Sequence, residues 1–124
     1  MMSLIEGIDL FFKGPGAPIQ SVVRESAVFV FEIDGRSYSC YKKAGKIEVK
    51  EGKPEDYMFL IACQKEAFEE IMRCRDYAEF RSKWKDLKIK GAVKLSFPGS
   101  GASFIKKWAL LGIFEALRRF GFYP

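Results

Sequence analysis

Two turn signals divide the first half of the chain into short β-strands, and they constrain the fold more than any other feature. Asp34-Gly35 lies between two runs rich in Val, Phe and Tyr, which is a strong hairpin signal. Ala44-Gly45 is a second, weaker turn signal, and it precedes residues 46–50, where apolar and charged side chains alternate. The sequence therefore predicts a meander of three antiparallel strands over residues 27–52.

The remaining apolar patterns predict two further strands. Residues 57–63 are apolar at every position, which indicates a strand buried on both faces. Residues 87–97 alternate between apolar side chains and lysines, which predicts a strand with one basic face that is interrupted at Gly91. The apolar face of this last strand would hold Leu87, Ile89, Val93, Leu95 and Phe97.

Helical patterns fill the stretches between and beside these strands. Residues 4–13 predict a short amphipathic helix that ends at Gly14-Pro15-Gly16, and residues 64–74 a second one. Asp76 followed by Glu79 has the spacing of a capping box, so a third helix begins there. The stripe of this third helix is Phe80, Trp84 and Leu87.

A last helix, over about residues 103–120, carries more large apolar side chains than one buried face needs. About half of its circumference forms an apolar arc wide enough to cover a sheet. Phe104, Trp108 and Leu111 form a second stripe on the opposite side. Four partners for this stripe remain open: another part of the chain, an apolar cavity, a membrane and a second copy of the protein.

Several function classes lack the residues that they require. The chain has no His, and therefore neither a proton shuttle at neutral pH nor an imidazole metal ligand. No serine has a base to activate it. We therefore expect no enzymatic activity, no metal and no cofactor. Three cysteines without C-x-x-C spacing are expected to be reduced and mostly buried: Cys40, Cys63 and Cys74.

Composition also bears on the location of the protein. No run of about 18 apolar residues occurs, so no membrane-spanning helix is expected. The N-terminal segment carries acids where a signal peptide would carry positive charge, which favours a cytoplasmic protein. Asn and Thr are absent while Lys and Glu are abundant, a composition that resembles heat-adapted proteins.

Charge is distributed unevenly along the chain. Residues 1–62 hold 8 basic and 9 acidic residues, whereas residues 63–124 hold 13 basic and 7 acidic ones. A basic half favours an anionic membrane or nucleic acid, although such a half is more often only a solvated face. Nucleic acid ranks last because no recognition motif or aromatic platform is present. Five lysines are candidates for contact with an anionic head group or membrane: Lys88, Lys90, Lys94, Lys106 and Lys107.

Over roughly residues 26–95, from the segment that begins at Phe31 to the one that ends at Leu95, the chain resembles the sterol carrier protein 2 (SCP-2) sterol-binding domain family. The resemblance lies in the meander and in Gly52-Lys53-Pro54, which precedes the acidic Asp56. It continues through the buried strand 57–63 and ends with the "LKIKG" segment. A helix that opens with Gln64-Lys65 and contains Phe68 and Met72 belongs to the same match.

This resemblance implies an α+β fold in one domain over residues 1–124. A curved, mostly antiparallel five-stranded sheet would be covered by helices, with an apolar tunnel between the two layers. The implied function is non-enzymatic binding or transfer of a lipid or fatty-acyl ligand in this tunnel. The alternative is a protein-interaction module that dimerises or docks through the last helix, with the tunnel closed. The predicted ligand-binding residues are Phe29, Phe31, Tyr38, Phe59, Phe68, Met72, Trp84, Ile89, Phe104, Trp108 and Leu111.

Overall fold

The structure, a computed structural model, describes residues 3–55, 57–97 and 113–121. The described elements comprise five strands and five helices. In chain order they are α1 (Leu4–Lys13), α2 (Ala17–Val22), β1 (Val28–Ile33), β2 (Arg36–Lys43), β3 (Lys46–Glu51), β4 (Leu60–Cys63), α3 (Lys65–Met72), α4 (Tyr77–Ile89), β5 (Val93–Ser96) and α5 (Ile113–Phe120).

The five strands form one sheet with the order β3-β2-β1-β4-β5. Neighbouring strands are antiparallel except β1 and β4, which are parallel at the centre. The chain therefore passes from β3 at one edge back to the centre before it enters β4. Helix α1 packs against β3, and α4 packs against β5. The predicted mostly antiparallel five-stranded sheet with helices is confirmed.

Both hairpins of the meander have the tight two-residue turns that the sequence predicts. Asp34 and Gly35 have φ angles of 51° and 80°, and Ala44 and Gly45 have 52° and 81°. Positive φ at both central residues matches the twist of the flanking strands. At the second turn the Glu25 carboxylate accepts hydrogen bonds from the amides of Ala44 (2.8 Å) and Gly45 (2.7 Å). This long-range contact supports a turn in which Ala takes a left-handed conformation.

Helices α1 and α4 begin at residues whose side chains cap them. The Ser3 hydroxyl accepts a hydrogen bond from the Glu6 amide at 3.2 Å, and the Asp76 carboxylate accepts one from the Glu79 amide at 2.8 Å. Each cap pairs an amide that the first turn would otherwise leave without a partner. The helix start predicted at Asp76 is confirmed.

The predicted strand over residues 87–97 is wrong in its first half. Helix α4 continues to Ile89, and only Val93–Ser96 form β5. Gly91 ends the helix with φ 75°, where the Ala92 amide donates to the Leu87 carbonyl at 2.8 Å and the Gly91 amide donates to the Lys88 carbonyl at 3.0 Å. This Schellman motif gives the last carbonyls of the helix hydrogen-bond donors within the same segment. In a strand these carbonyls would need donors from a neighbouring strand.

The central strand β4 is shorter than the predicted segment 57–63 but is buried as expected. Leu60 and Ile61 point to opposite faces of the sheet, and both are buried. The core lies between the sheet and the helices. The face of β1 that carries Phe29, Phe31 and Ile33 points into it, and all three side chains are buried. Among the residues described, no helix is both long enough and apolar enough to cross a membrane.

Candidate ligand-binding site

Four of the predicted ligand-binding residues meet in one aromatic cluster between the sheet and the helices. Phe29 and Phe31 come from β1, Phe59 immediately precedes β4, and Trp84 lies on α4. The rings of Phe29 and Phe59 stack with their centroids 4.9 Å apart and an interplanar angle of 7°. Strand and helix periodicity alone placed these side chains on the core side of their elements, and all of them are buried.

Two further phenylalanines occupy the space between these walls. Phe12 of α1 lies 5.7 Å from the ring of Phe29, and Phe120 of α5 lies 6.2 Å from the same ring. Phe120 is fully buried and also contacts the rings of Phe31, Phe59, Phe80 and Trp84 at centroid distances of 5.8–6.4 Å. Phe120 lies among these rings, so α5 packs the cluster in the layer where the resemblance to the SCP-2 family implies a tunnel.

Polar side chains of α4 hold the C-terminal end of α5 in this position. The Tyr77 hydroxyl donates to the Arg119 carbonyl at 2.7 Å, and Arg81 Nη1 donates to the Arg118 carbonyl at 3.2 Å. The Lys88 ammonium donates to the Gly121 carbonyl. Cationic groups here complement the partial negative charge at a helix C-terminus. We call Tyr77, Arg81 and Lys88 the α5 clamp.

A groove with a volume of about 520 Å³ lies between α1 and α3. Gly7 of α1 faces Phe68 and Met72 of α3. A Cβ atom on Gly7 would be 3.3 Å from Met72 Cε and 3.6 Å from Phe68 Cε2. We call this space the α1–α3 groove; it is lined by Ser3, Leu4, Gly7, Leu10, Phe11, Pro15, Lys65, Phe68, Glu69, Met72 and Arg73.

The groove has an apolar floor and a charged rim. Floor residues include Phe68, which is buried, and Leu10, which is 48% exposed. Lys65 and Glu69 lie on successive turns of α3, Arg73 directly follows the helix, and all three side chains are exposed. Within the described part of the chain, the side chains of these three residues form no ion pair within 4.0 Å. The groove can therefore bury an apolar molecule against its floor while charged groups remain available at its rim.

The predicted residues thus divide into four groups. Phe29, Phe31, Phe59 and Trp84 belong to the cluster. Tyr38 of β2 is buried and pairs with Phe31 of β1, so the two side chains lie on the same face of the sheet. Phe68 and Met72 line the groove, and the ring of Phe68 also contacts Phe31 at 6.1 Å. Ile89 is 74% exposed at the end of α4, so its predicted position on a wall is wrong. Phe104, Trp108 and Leu111 lie outside the described residues, as do Lys106 and Lys107.

Sequence reasoning missed the contribution of α1 to the groove. Leu4, Gly7 and Phe11 recur at helical spacing on one side of α1, and a glycine inside such a stripe is a signal for close approach of another element. The signal was present, but it does not say which helix approaches.

The three cysteines are free thiols in unreactive surroundings. Burial, and to a smaller extent the nearby Asp34 carboxylate, together raise the pKa of the Cys63 thiol to about 12. Burial also raises the pKa of Cys40 and of Cys74. A thiol with a raised pKa is protonated at neutral pH and is a poor nucleophile. Within residues 3–55, 57–97 and 113–121, no group of three or more acidic or thiol side chains could hold a metal ion.

Comparison with solved structures identifies the architecture of the chain. The sequence matches no protein-family model and no curated protein. Among solved structures, a ubiquinone synthesis protein named UbiJ-SCP2 aligns with a TM-score of 0.54 and 13% identity, over 90% of this chain and 94% of that one. The sec-alkylsulfatase Pisa1 from Pseudomonas sp. aligns with a TM-score of 0.52 and 11% identity, over 89% of this chain but 16% of that one. Sterol carrier protein domain 2 of Helicoverpa armigera aligns with a TM-score of 0.47 and 14% identity, over 87% and 80% of the two chains.

Proposed function

We propose that this chain, which has the SCP-2-like fold, binds an apolar ligand of the lipid class in the α1–α3 groove and does no covalent chemistry on it. The observation that carries the proposal is the groove itself. Its volume of about 520 Å³ is within the range of small-molecule sites, and most of its lining is apolar.

An acyl chain that buries about ten methylene groups in the groove would bind with a useful affinity. Each methylene group removed from water contributes about 0.8 kcal/mol, so ten buried methylenes contribute about 8 kcal/mol. That free energy corresponds to a dissociation constant of about 1 μM before the cost of ordering the ligand is subtracted. We therefore expect micromolar or weaker binding of a single acyl-type chain.

Three further observations support a carrier without chemistry. The chain contains no His, and the thiols are protonated at neutral pH because burial raises their pKa values. The UbiJ-SCP2 protein, which aligns along nearly its whole length, is named for the synthesis of ubiquinone, an apolar molecule. The similarity to the alkylsulfatase is not an argument for catalysis by this chain, because the aligned region is only 16% of that enzyme.

The test is a titration with a fluorescent fatty acid, compared between two variants that add the same bulk. Leu10→Trp fills the groove from a position that is 48% exposed, so the core is not disturbed. Ile89→Trp adds the same side chain to an exposed position of α4 outside the groove. We expect Leu10→Trp to weaken binding at least about ten-fold and Ile89→Trp to leave it unchanged.

Two outcomes would contradict the proposal. Equal affinity of wild type and Leu10→Trp would place the ligand elsewhere, and absence of saturable binding to the wild type would remove the function. Native mass spectrometry of protein purified without detergent gives an independent measurement. A bound lipid on a monomer supports the carrier function, whereas an empty dimer supports the alternative of an interaction module.

A further inference from the structure

We propose that the last turns of α4 form a docking surface for an anionic lipid bilayer. The surface consists of Lys85, Lys88, Ile89 and Lys90, and we call it the basic end of α4. The proposal does not depend on the α1–α3 groove, because no residue of the surface lines that groove.

The charge of the chain is concentrated around this surface. Residues 77–97 contain six basic and two acidic side chains, so this segment carries four of the five net positive charges of the chain. Between residues 83 and 90 there are four lysines and one acid, Asp86. A local excess of this size attracts anionic surfaces and accelerates encounter with them.

Two lysines of the basic end, Lys85 and Lys90, form no ion pair with the residues that the structure describes. Both side chains are exposed. Lys88 instead donates to the Gly121 carbonyl in the α5 clamp, which fixes its ammonium near the same helix end. Two lysines are therefore available for lipid head groups, while a third adds positive charge from a fixed position.

An exposed apolar side chain lies among these charges. Ile89 is 74% exposed, against 48% for Leu10 and for Phe97, the other exposed large apolar side chains of the described residues. The core stripe of α4 is Phe80, Trp84 and Leu87, and Ile89 points away from it. Lys85 lies one turn before Ile89, and Lys90 follows it. Lys85 and Asp86 thus precede this apolar side chain by one turn, and the long lysine stems beside it match the boundary between head groups and acyl chains.

Nucleic acid fits this surface less well. Phosphate backbones are bound by Lys and Arg without any need for an exposed isoleucine. Binding of single strands uses exposed aromatic rings for base stacking, and the aromatic side chains of α4 are turned inward, with Phe80 and Trp84 buried. The arginine of α4, Arg81, is engaged with the carbonyls of α5.

The experiment is co-sedimentation with vesicles of two compositions. One contains phosphatidylcholine alone, and the other contains phosphatidylcholine with about 30% of the anionic lipid phosphatidylglycerol. We expect binding to the anionic vesicles, loss of binding as salt is raised, and little binding to the neutral ones. The double change Lys85→Gln with Lys90→Gln should weaken binding about 30-fold, which corresponds to about 1 kcal/mol per lysine.

Two matched controls separate this surface from total charge and total hydrophobicity. Lys43→Gln with Lys46→Gln removes the same charge from the β2–β3 hairpin, where both lysines are exposed, and should change binding less than about two-fold. Ile89→Ser should weaken binding about ten-fold, whereas Phe97→Ser, at a position that is 48% exposed and lines neither the groove nor this surface, should leave it unchanged. Circular dichroism melting of each variant verifies that it is folded.

Three results would overturn the proposal. One is equal weakening by the two lysine pairs, which would indicate only net charge. A second is binding to neutral vesicles as tight as to anionic ones. The third is binding to a duplex oligonucleotide that is tighter than to anionic vesicles and insensitive to Ile89→Ser. Fatty-acid titration without vesicles should be unaffected in the lysine and Ile89 variants, so a failure of this surface is distinguishable from a failure of the groove.

Discussion

Phe120→Ala should be among the most destabilising substitutions in the chain. The ring is fully buried and contacts five other rings, those of Phe29, Phe31, Phe59, Phe80 and Trp84, at centroid distances of 5.8–6.4 Å. Truncation of a buried Phe lowers the free energy of unfolding by about 3–5 kcal/mol, because apolar burial is lost and a cavity remains.

Two features of the structure place the expected loss near 4 kcal/mol, in the middle of that range. Each pair of rings at these distances contributes about 0.5–1.5 kcal/mol beyond area burial. The α5 clamp keeps the helix end in place through Tyr77 and Arg81, so the neighbouring rings have limited freedom to fill the cavity. Because domains of this size are stable by about 5–15 kcal/mol, such a loss leaves little stability in reserve.

The assay is urea unfolding followed by Trp fluorescence, with midpoint and slope fitted together. With a slope of about 2 kcal/mol per molar, the midpoint of Phe120→Ala should fall by about 2 M. Phe120→Leu keeps most of the apolar volume and should lose about 1.5 kcal/mol or less. Tyr77→Phe removes the 2.7 Å hydrogen bond of the clamp and should lose about 1 kcal/mol.

The folded fraction of Phe120→Ala also permits a direct test for a cavity. An apolar cavity that excludes water binds small aromatic molecules, so benzene should raise the melting temperature of this variant and leave that of the wild type unchanged. A loss below about 1 kcal/mol, or an equal benzene effect on both proteins, would refute the central position of Phe120.

Four further outcomes follow from other contacts and from the raised pKa of Cys63. Gly16→Ala should lower the free energy of unfolding by about 1–3 kcal/mol in the same urea assay, because its Cβ would lie 2.5 Å from the ring of Phe11; an unchanged midpoint would contradict this close approach. Glu25→Ala should lower it by about 1 kcal/mol, because two hairpin amides lose their acceptor, and unchanged amide exchange in that turn would speak against it. Native Cys63 should react with iodoacetamide slowly at pH 8 and faster as the pH approaches the pKa of about 12. Mass spectrometry measures the labelled fraction, and fast labelling at pH 8 would disprove the raised pKa. Because the folded pKa of this thiol exceeds its ordinary value of 9.0, the protein should lose stability as pH rises above 9.0, where only the unfolded thiol releases its proton.

Local signals in the sequence were sufficient for the elements whose determinants lie within a few residues of one another. Asp34-Gly35 specifies a tight hairpin because positive φ is needed at both positions, and the turn has it. Asp76 and Glu79 specify a helix start because a side-chain oxygen three residues away accepts the exposed amide. The resemblance that these elements carry also predicted the SCP-2-like fold, which the comparison with UbiJ-SCP2 confirms.

Residues 87–91 show where local reasoning fails. Leu87 fits both the strand alternation and the helical stripe of Phe80 and Trp84, and the lysines on either side of Ile89 fit both as well. The helix prevails because Leu87 is buried in that stripe and Gly91 pairs the last carbonyls of α4. Periodicity over so few residues cannot distinguish the two structures, since both bury Leu87.

Only the tertiary structure decided which buried side chains meet and which surfaces remain open. Periodicity identified Phe29 and Phe59 as core residues, yet it could not indicate that Phe120, from the far end of the chain, fills the space between the walls. The α1–α3 groove likewise depends on the approach of two helices separated by the whole meander, at a distance that Gly7 permits. The physical reason is the same in both cases. Sequence patterns specify the direction in which a side chain points from its own element, whereas packing between distant elements specifies what that side chain contacts.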